Sequence, residues 1–255
     1  MIKEDNKIGV TETYDPSFDF SWMDNLYPVN IIITKNLSDE MEDRLLTEEV
    51  KRTCILHLTC TGWGGTFMEP GVDSYASTIH KYRRLIINGF DPSHVVLRLD
   101  PIIPTEEGIE RARSVLVGFT NLEEQYRIKR CRVSVLDNYK HVSERFKNIG
   151  FNLGYEEFQA PGEMFDKIEM MLIPYSDKFD FEICAEPELY IAKDEFVGCV
   201  SQKDIDLINP DFPVTLGSIT RKQRPWCMCP DNKTNIIRRK PGRCPNKCVY
   251  CYWRD

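Results

Sequence analysis

Three cysteines close this sequence: Cys244, Cys248 and Cys251, in the run Cys-Pro-Asn-Lys-Cys-Val-Tyr-Cys-Tyr-Trp. Their spacing is C-x3-C-x2-C, with Tyr250 directly before the third. Three thiolates on one tight loop can hold three irons of a 4Fe–4S cluster, for which cysteine sulfur is the usual ligand. No fourth ligand follows locally, so one iron stays open to a small molecule. The competing chemistry is structural zinc, which wants four nitrogen or sulfur ligands, often as C-x2-C pairs or with nearby histidines. His57, His80, His94 and His141 all lie far from this loop in sequence, which favours the cluster. Four further cysteines, Cys184, Cys199, Cys227 and Cys229, precede it in the tail. Four is a full set for a closed site, and an auxiliary 4Fe–4S cluster is preferred over tetrahedral zinc. Sulfur-only ligation suits both, and plain buried thiols are the third outcome.

Elements must bring such groups together. Residues 8–15 read as a short strand running into a turn at Asp15-Pro16. Strands are expected at 29–34, 54–61, 94–99, 131–136 and 180–184, from short β-branched or apolar runs. Asp100-Pro101 is expected to stop the fourth of the six. Helices are expected at 38–50, 72–88, 106–126, 138–149 and 161–174. In the second of these, Tyr75, Ile79, Tyr82 and Ile86 share one face. Strand and helix alternate, which predicts an α/β fold with a parallel sheet and crossover helices. Polar residues gather just after the strands, at Thr34-Lys35-Asn36, Thr59 to Gly65, Arg98 to Pro101 and Asp137-Asn138. In such folds the site lies at the strands' carboxyl ends. Past residue 185 the pattern weakens, so the chain divides into a partial barrel at 1–183 and a cysteine-rich segment at 184–255.

At 255 residues and 42% hydrophobic, the chain can bury one large core. No apolar run approaches a membrane span of roughly 20 residues, and the polar N-terminus does not read as a signal peptide. Ten cysteines in such a chain argue for metal and a reducing cytoplasm rather than a disulfide scaffold. The net charge of −7 is unevenly placed. Arg221, Lys222, Arg224, Lys233, Arg238, Arg239, Lys240, Arg243, Lys247 and Arg254 face only Asp231 and Asp255 in the last stretch. A basic segment beside the cysteines can attract a phosphate-bearing substrate. It can equally offset the negative charge of thiolates and cluster.

At this point the chain resembles the radical S-adenosylmethionine (SAM) superfamily. It is most similar to the spore photoproduct lyase-like branch and to a bacterial group with a carboxy-terminal cluster motif. The residues that carry the likeness are the final Cys-x3-Cys-x-Tyr-Cys-Tyr, Ile32-Ile33-Thr34-Lys35-Asn36, Glu69-Pro70 before a helix, and Leu97-Arg98-Leu99-Asp100-Pro101-Ile102-Ile103-Pro104. Thr11-Glu12-Thr13-Tyr14-Asp15-Pro16 is similar to that branch's Thr-Asp-Pro-Tyr segment, less closely. The order departs from the family, where the cysteine loop follows the first barrel strand. Here it comes last. The expectation is a partial (β/α) TIM-type barrel of about six parallel strands, circularly permuted, because permutation is tolerated where termini meet at a surface. The segment before Cys244 should then lie beside strand 8–13, with the cysteine loop facing Lys35 and Asp100.

The resemblance implies cofactors of a SAM-binding 4Fe–4S cluster and SAM, with the second cysteine group as a further cluster or zinc. It implies reductive cleavage of SAM to start radical chemistry, with flavodoxin or ferredoxin as electron donor, in a lyase, isomerase or transferase. Lys35 is the candidate for the SAM carboxylate, and Arg98 and Asp100 for SAM or substrate. Thr59, Thr61 and the Gly64-Gly65 turn can approach ribose or methionine, since glycine lets backbone come close. Tyr250 can pack beside the adenine. Cys54, Cys60 and Cys131 sit on strands, where core packing is the default. Cys60, at the rim, is the one placed to give a hydrogen atom to a substrate radical. The basic tail and the likeness to a DNA-repair lyase lean towards a nucleotide or nucleic acid, with no membrane involved; the net acidity argues against broad DNA binding and leaves a small nucleotide or a peptide open. A reading from another class is a non-catalytic zinc- or iron–sulfur-binding protein, such as a nucleic-acid-binding module.

Overall fold

Seven strands form one all-parallel sheet in the computed structural model, which describes residues 2–191, 196–221, 224–238, 240 and 244–254. They are β1 (Ile8–Val10), β2 (Val29–Thr34), β3 (Cys54–Thr59), β4 (Val95–Ile102), β5 (Arg130–Val135), β6 (Asp180–Ile183) and β7 (Lys233–Asn235). Their order across the sheet is β6-β5-β4-β3-β2-β1-β7. The first six thus lie side by side in chain order, as in a partial β/α barrel. The seventh returns from the far end of the chain to the free edge of β1, pairing Ile8 with Lys233, Gly9 with Thr234 and Val10 with Asn235. The stretch before the cysteine loop is therefore the sheet neighbour of the first strand, as expected.

Parallel neighbours need long crossovers. Here they carry α1 (Asp39–Leu45), α2 (Glu48–Thr53), α3 (Tyr75–Ile87), α4 (Glu106–Thr120), α5 (Lys140–Asn148) and α6 (Gly162–Leu172). Three of the helices start on hydroxyl caps: Ser38, Ser74 and Thr105 accept from the backbone N–H of Met41, Ser77 and Gly108, meeting donors that the first turn leaves unpaired.

Side-chain alternation along the strands builds two cores. Ile32, Leu56, Leu97, Cys131 and Val133 point to the helical face, against Met41, Tyr82, Val115 and Ile168. Ile8, Val10, Val29, Ile31, Ile55 and Val96 point the other way, where Val200, Ile205, Ile208 and Val214 cover them. Ile205 and Ile208 belong to α7 (Gln202–Ile208), so the expected second segment completes both the sheet and its inner core. Beside that apolar patch lies a buried charge network. Arg130 Nε and Arg132 Nε donate to Glu182 at 2.6 and 2.9 Å, and Arg130 also reaches Asp204 of α7 at 2.7 Å. Ions can be kept this far from water only when paired and hydrogen-bonded.

Several expected boundaries shift. β4 runs through Asp100-Pro101, which is cis, and its register with β5 slips between Leu99 and Ile102; proline enters a strand where the ladder is already interrupted. The helix expected at 38–50 is two, split where Thr47 adopts extended backbone. The one expected at 106–126 ends at Thr120, followed by a short 3-10 turn. In α3 the buried face is Thr78, Tyr82, Leu85 and Ile86, with Tyr75 exposed. Among the described residues, no helix is long and apolar enough to cross a membrane.

Candidate functional site

The carboxyl ends of β1 to β6 surround a cavity of about 720 Å³. Cys244, Cys248 and Cys251 line it, together with Lys35, Arg98 and Asp100. Cys184 at the end of β6 and Cys227 line it as well.

The cysteine loop is held by its own backbone and by side chains from four elements. Val249 and Tyr250 pack with Trp63, Met68, Ile103, Val142 and Phe146. Val249 N–H donates to the Met68 carbonyl at 3.0 Å, and Gly71 N–H to the Asn246 carbonyl at 3.2 Å. A Cβ on Gly71 would collide with the Pro245 carbonyl oxygen, so only glycine admits this approach. Arg145 of α5 gathers the loop's carbonyls, donating to Val249 and to Arg254 at 2.7 Å each, and to Cys251. Asn246, between the first two cysteines, donates to Asp15 at 2.7 Å and accepts from Asn36. Asp15 in turn accepts from the Lys35 backbone at 2.9 Å and the Thr34 hydroxyl at 2.7 Å. The loop is thus pinned to the ends of β1 and β2.

Lys35 is the link on the cavity wall. Its ammonium donates to Glu69 at 2.8 Å and to the Tyr250 hydroxyl at 2.9 Å. Tyr250 also bonds Glu69, whose second oxygen accepts from Thr61 at 2.8 Å. Burial works against the charge on Lys35, but Glu69 and the nearby Cys248 sulfur outweigh it and hold the ammonium above its ordinary value. Burial likewise pushes the Cys248 thiol up, with Lys35 opposing, and raises Cys244. A metal must therefore displace protons to bind there.

The second group forms a chain of sulfurs. Cys199, Cys227 and Cys229 pack together, and Cys199 N–H donates to Cys229 Sγ at 3.2 Å. Hydrogen bonds from Cys184 and then Cys229 pull the Cys199 thiol well down, and one from Cys229 brings Cys227 to about 6. Arg132 fixes the Cys199 carbonyl at 3.0 Å, tying this group to the buried charge network. None of the ten cysteines is in a disulfide. Among the described residues, no three His, Cys, Asp or Glu side chains are set around a single metal ion. A cubane differs in this respect, because each thiolate binds its own iron and the sulfurs need not converge on one point. In number, three and four thiols match ligand sets that clusters take.

The expected site residues divide. Lys35, Thr59, Arg98, Asp100 and Tyr250 line the cavity. Thr61 lies behind it, on Glu69, and Gly64 and Gly65 form the turn whose backbone pairs with Glu69. Cys60 packs in the helical-face core, its thiol pushed up to about 12 by burial. Of the basic tail, Arg224 pairs with Asp137 at 2.8 Å, Lys233 with Glu12 at 2.8 Å and Lys240 with Asp19 at 2.6 Å. Three of the seven described basic residues of the tail are thereby paired within the chain; Lys222, Arg239, Arg243 and Asp255 lie outside the described residues. Sequence reasoning passed over Asn246 and Arg145, and counted Arg224 only as part of the basic tail. Asn246 sits inside the cysteine motif itself, which was its available signal.

Residues 23–253 match the family described as Domain of unknown function (DUF1848). No curated protein and no solved structure matches the chain.

Proposed function

Since the chain belongs to the DUF1848 family, whose description names no activity, we propose from its own chemistry that it is a radical SAM enzyme. Cys244, Cys248 and Cys251 would hold a 4Fe–4S cluster, and the adjoining cavity would take SAM and the reacting part of a substrate. When bound and reduced by an external donor of the flavodoxin or ferredoxin kind, that pair supplies a 5′-deoxyadenosyl radical and methionine.

The chain's own residues do the positioning. Lys35 stabilises the Cys248 thiolate and, with Tyr250 and Glu69, fixes the loop against β2. Arg98 lines the cavity, and its guanidinium is the group read as meeting a carboxylate or another anionic group of SAM or substrate. Asp100, which pairs with Arg98, orients it. The strand order is read as a circular permutation of a partial barrel, with the cluster loop supplied by the chain's far end.

The observation that carries this reading is the shared cavity. Cysteines from the last residues meet Lys35, Arg98 and Asp100 at strand ends remote in sequence. A purely structural metal knot has no use for an open pocket of ordinary ligand size. Cys184, Cys199, Cys227 and Cys229 are read as ligands of a second cluster.

Metal analysis after anaerobic purification tests this. About seven or eight irons per chain are expected from two clusters. Replacing Cys227 and Cys229 together by Ala should remove about four of them. Colourless protein containing zinc alone would support a non-catalytic metal-binding protein instead.

A further inference from the structure

The four-cysteine group is bracketed by two cations. Lys233, the first residue of β7, donates from Nζ to Cys229 Sγ at 3.4 Å and to Glu12 at 2.8 Å. At the other end, Arg224 donates to the Cys184 carbonyl at 2.7 Å and lies 3.8 Å from Cys184 Sγ. The Lys233 side chain is only 13% exposed. A cation so placed must be matched by anions, and here these are Glu12 and the sulfurs. At the C-terminal loop Lys35 acts on Cys248 through space while its hydrogen bonds go to Glu69 and Tyr250. The two groups of thiols therefore differ in how directly positive charge reaches their sulfur.

Hydrogen bonds to cluster sulfurs and local charge set a cluster's reduction potential. Reduction adds negative charge, so a cation on a ligand sulfur favours the reduced state. We propose that Lys233 is a positioning residue for the second site: its ammonium on Cys229 places that site at a higher potential than the one at Cys244, Cys248 and Cys251. On stepwise reduction the second site then takes an electron first, from dithionite in the tube or from the donor protein. Glu12 holds Lys233 in place while partly cancelling its charge. This inference rests on the reading that Cys184, Cys199, Cys227 and Cys229 ligate iron.

The test is a dithionite redox titration of the anaerobically purified protein followed by electron paramagnetic resonance. The two signals are assigned by the one that disappears in the Cys227→Ala/Cys229→Ala variant. The second site should have the higher midpoint. Lys233→Met should lower it, Lys233→Arg should restore it, and Glu12→Gln should raise it, with the other site moving less. If both signals are present and the second midpoint is unmoved in Lys233→Met, the inference fails and the two-cluster reading stands. Should Lys233→Met lose iron, Glu12→Gln decides in the same way, an unmoved midpoint overturning the inference. A wild-type protein with no second signal overturns both.

Discussion

Lys35 and Tyr250 lie 215 positions apart, yet the ammonium of one donates to the hydroxyl of the other at 2.9 Å. This bond joins the end of β2 to the cysteine loop just before Cys251, and Glu69 completes the triangle. Deleting the hydroxyl leaves a largely buried lysine one acceptor short. Tyr250→Phe should therefore destabilise the fold by ~1–3 kcal/mol and weaken iron retention at the loop. Chemical denaturation of the anaerobic protein, with iron quantified in parallel, checks both effects. Unchanged stability and iron would mean the bond does not anchor the loop.

A second expectation follows from the close approach of Gly71 to Pro245. Gly71→Ala puts a methyl group where the Pro245 carbonyl sits, so the loop must move away from the cavity. Iron content should fall by about one cluster. Gly162→Ala is the control, because a Cβ there meets nothing and the position opens α6. Equal iron in the two variants would show that the loop is not seated against Gly71.

The buried network predicts an acid dependence. Burial alone would raise the Glu182 carboxyl, but Arg132 and then Arg130 overcome it and hold the group below its ordinary value of 4.5. A carboxyl depressed on folding contributes stability that is present above its unfolded pKa and is lost as pH falls through the folded one. Glu182→Gln should cost about 3–5 kcal/mol at neutral pH and flatten the decline of urea midpoints below pH ~4.5. Parallel acid profiles in both proteins would show that another group governs the loss.

Much of this architecture was legible in the residues. The six parallel strands follow from short β-branched runs separated by amphipathic stretches. That the cysteine loop shares a cavity with Lys35 and Asp100 was expected from the likeness and the permuted order, which put the loop at the rim where strand carboxyl ends meet. What escaped lacked a periodic signal. β7 is Lys-Thr-Asn, three polar residues that become a strand only because β1 offers an edge. α7 has seven residues, too few for a clear face, although Ser201 and Asp204 form a capping box that marks its start. Asp100-Pro101 looked like a stop because proline is ordinarily excluded from strands, and here the register slip accommodates it. Arg132 and Glu182 were read simply as strand residues, since only the folded sheet shows their shared, water-excluded face.

The central claim is that the C-terminal loop supports reductive cleavage of SAM. It is measured most directly as 5′-deoxyadenosine formed from SAM and dithionite under anaerobic conditions, in the wild-type protein and in Cys248→Ala. The wild type should form 5′-deoxyadenosine. The variant should remain folded but form essentially none, because two thiolates hold a cubane poorly. Formation at the wild-type rate by Cys248→Ala, or none by an iron-replete wild type, would contradict the assignment.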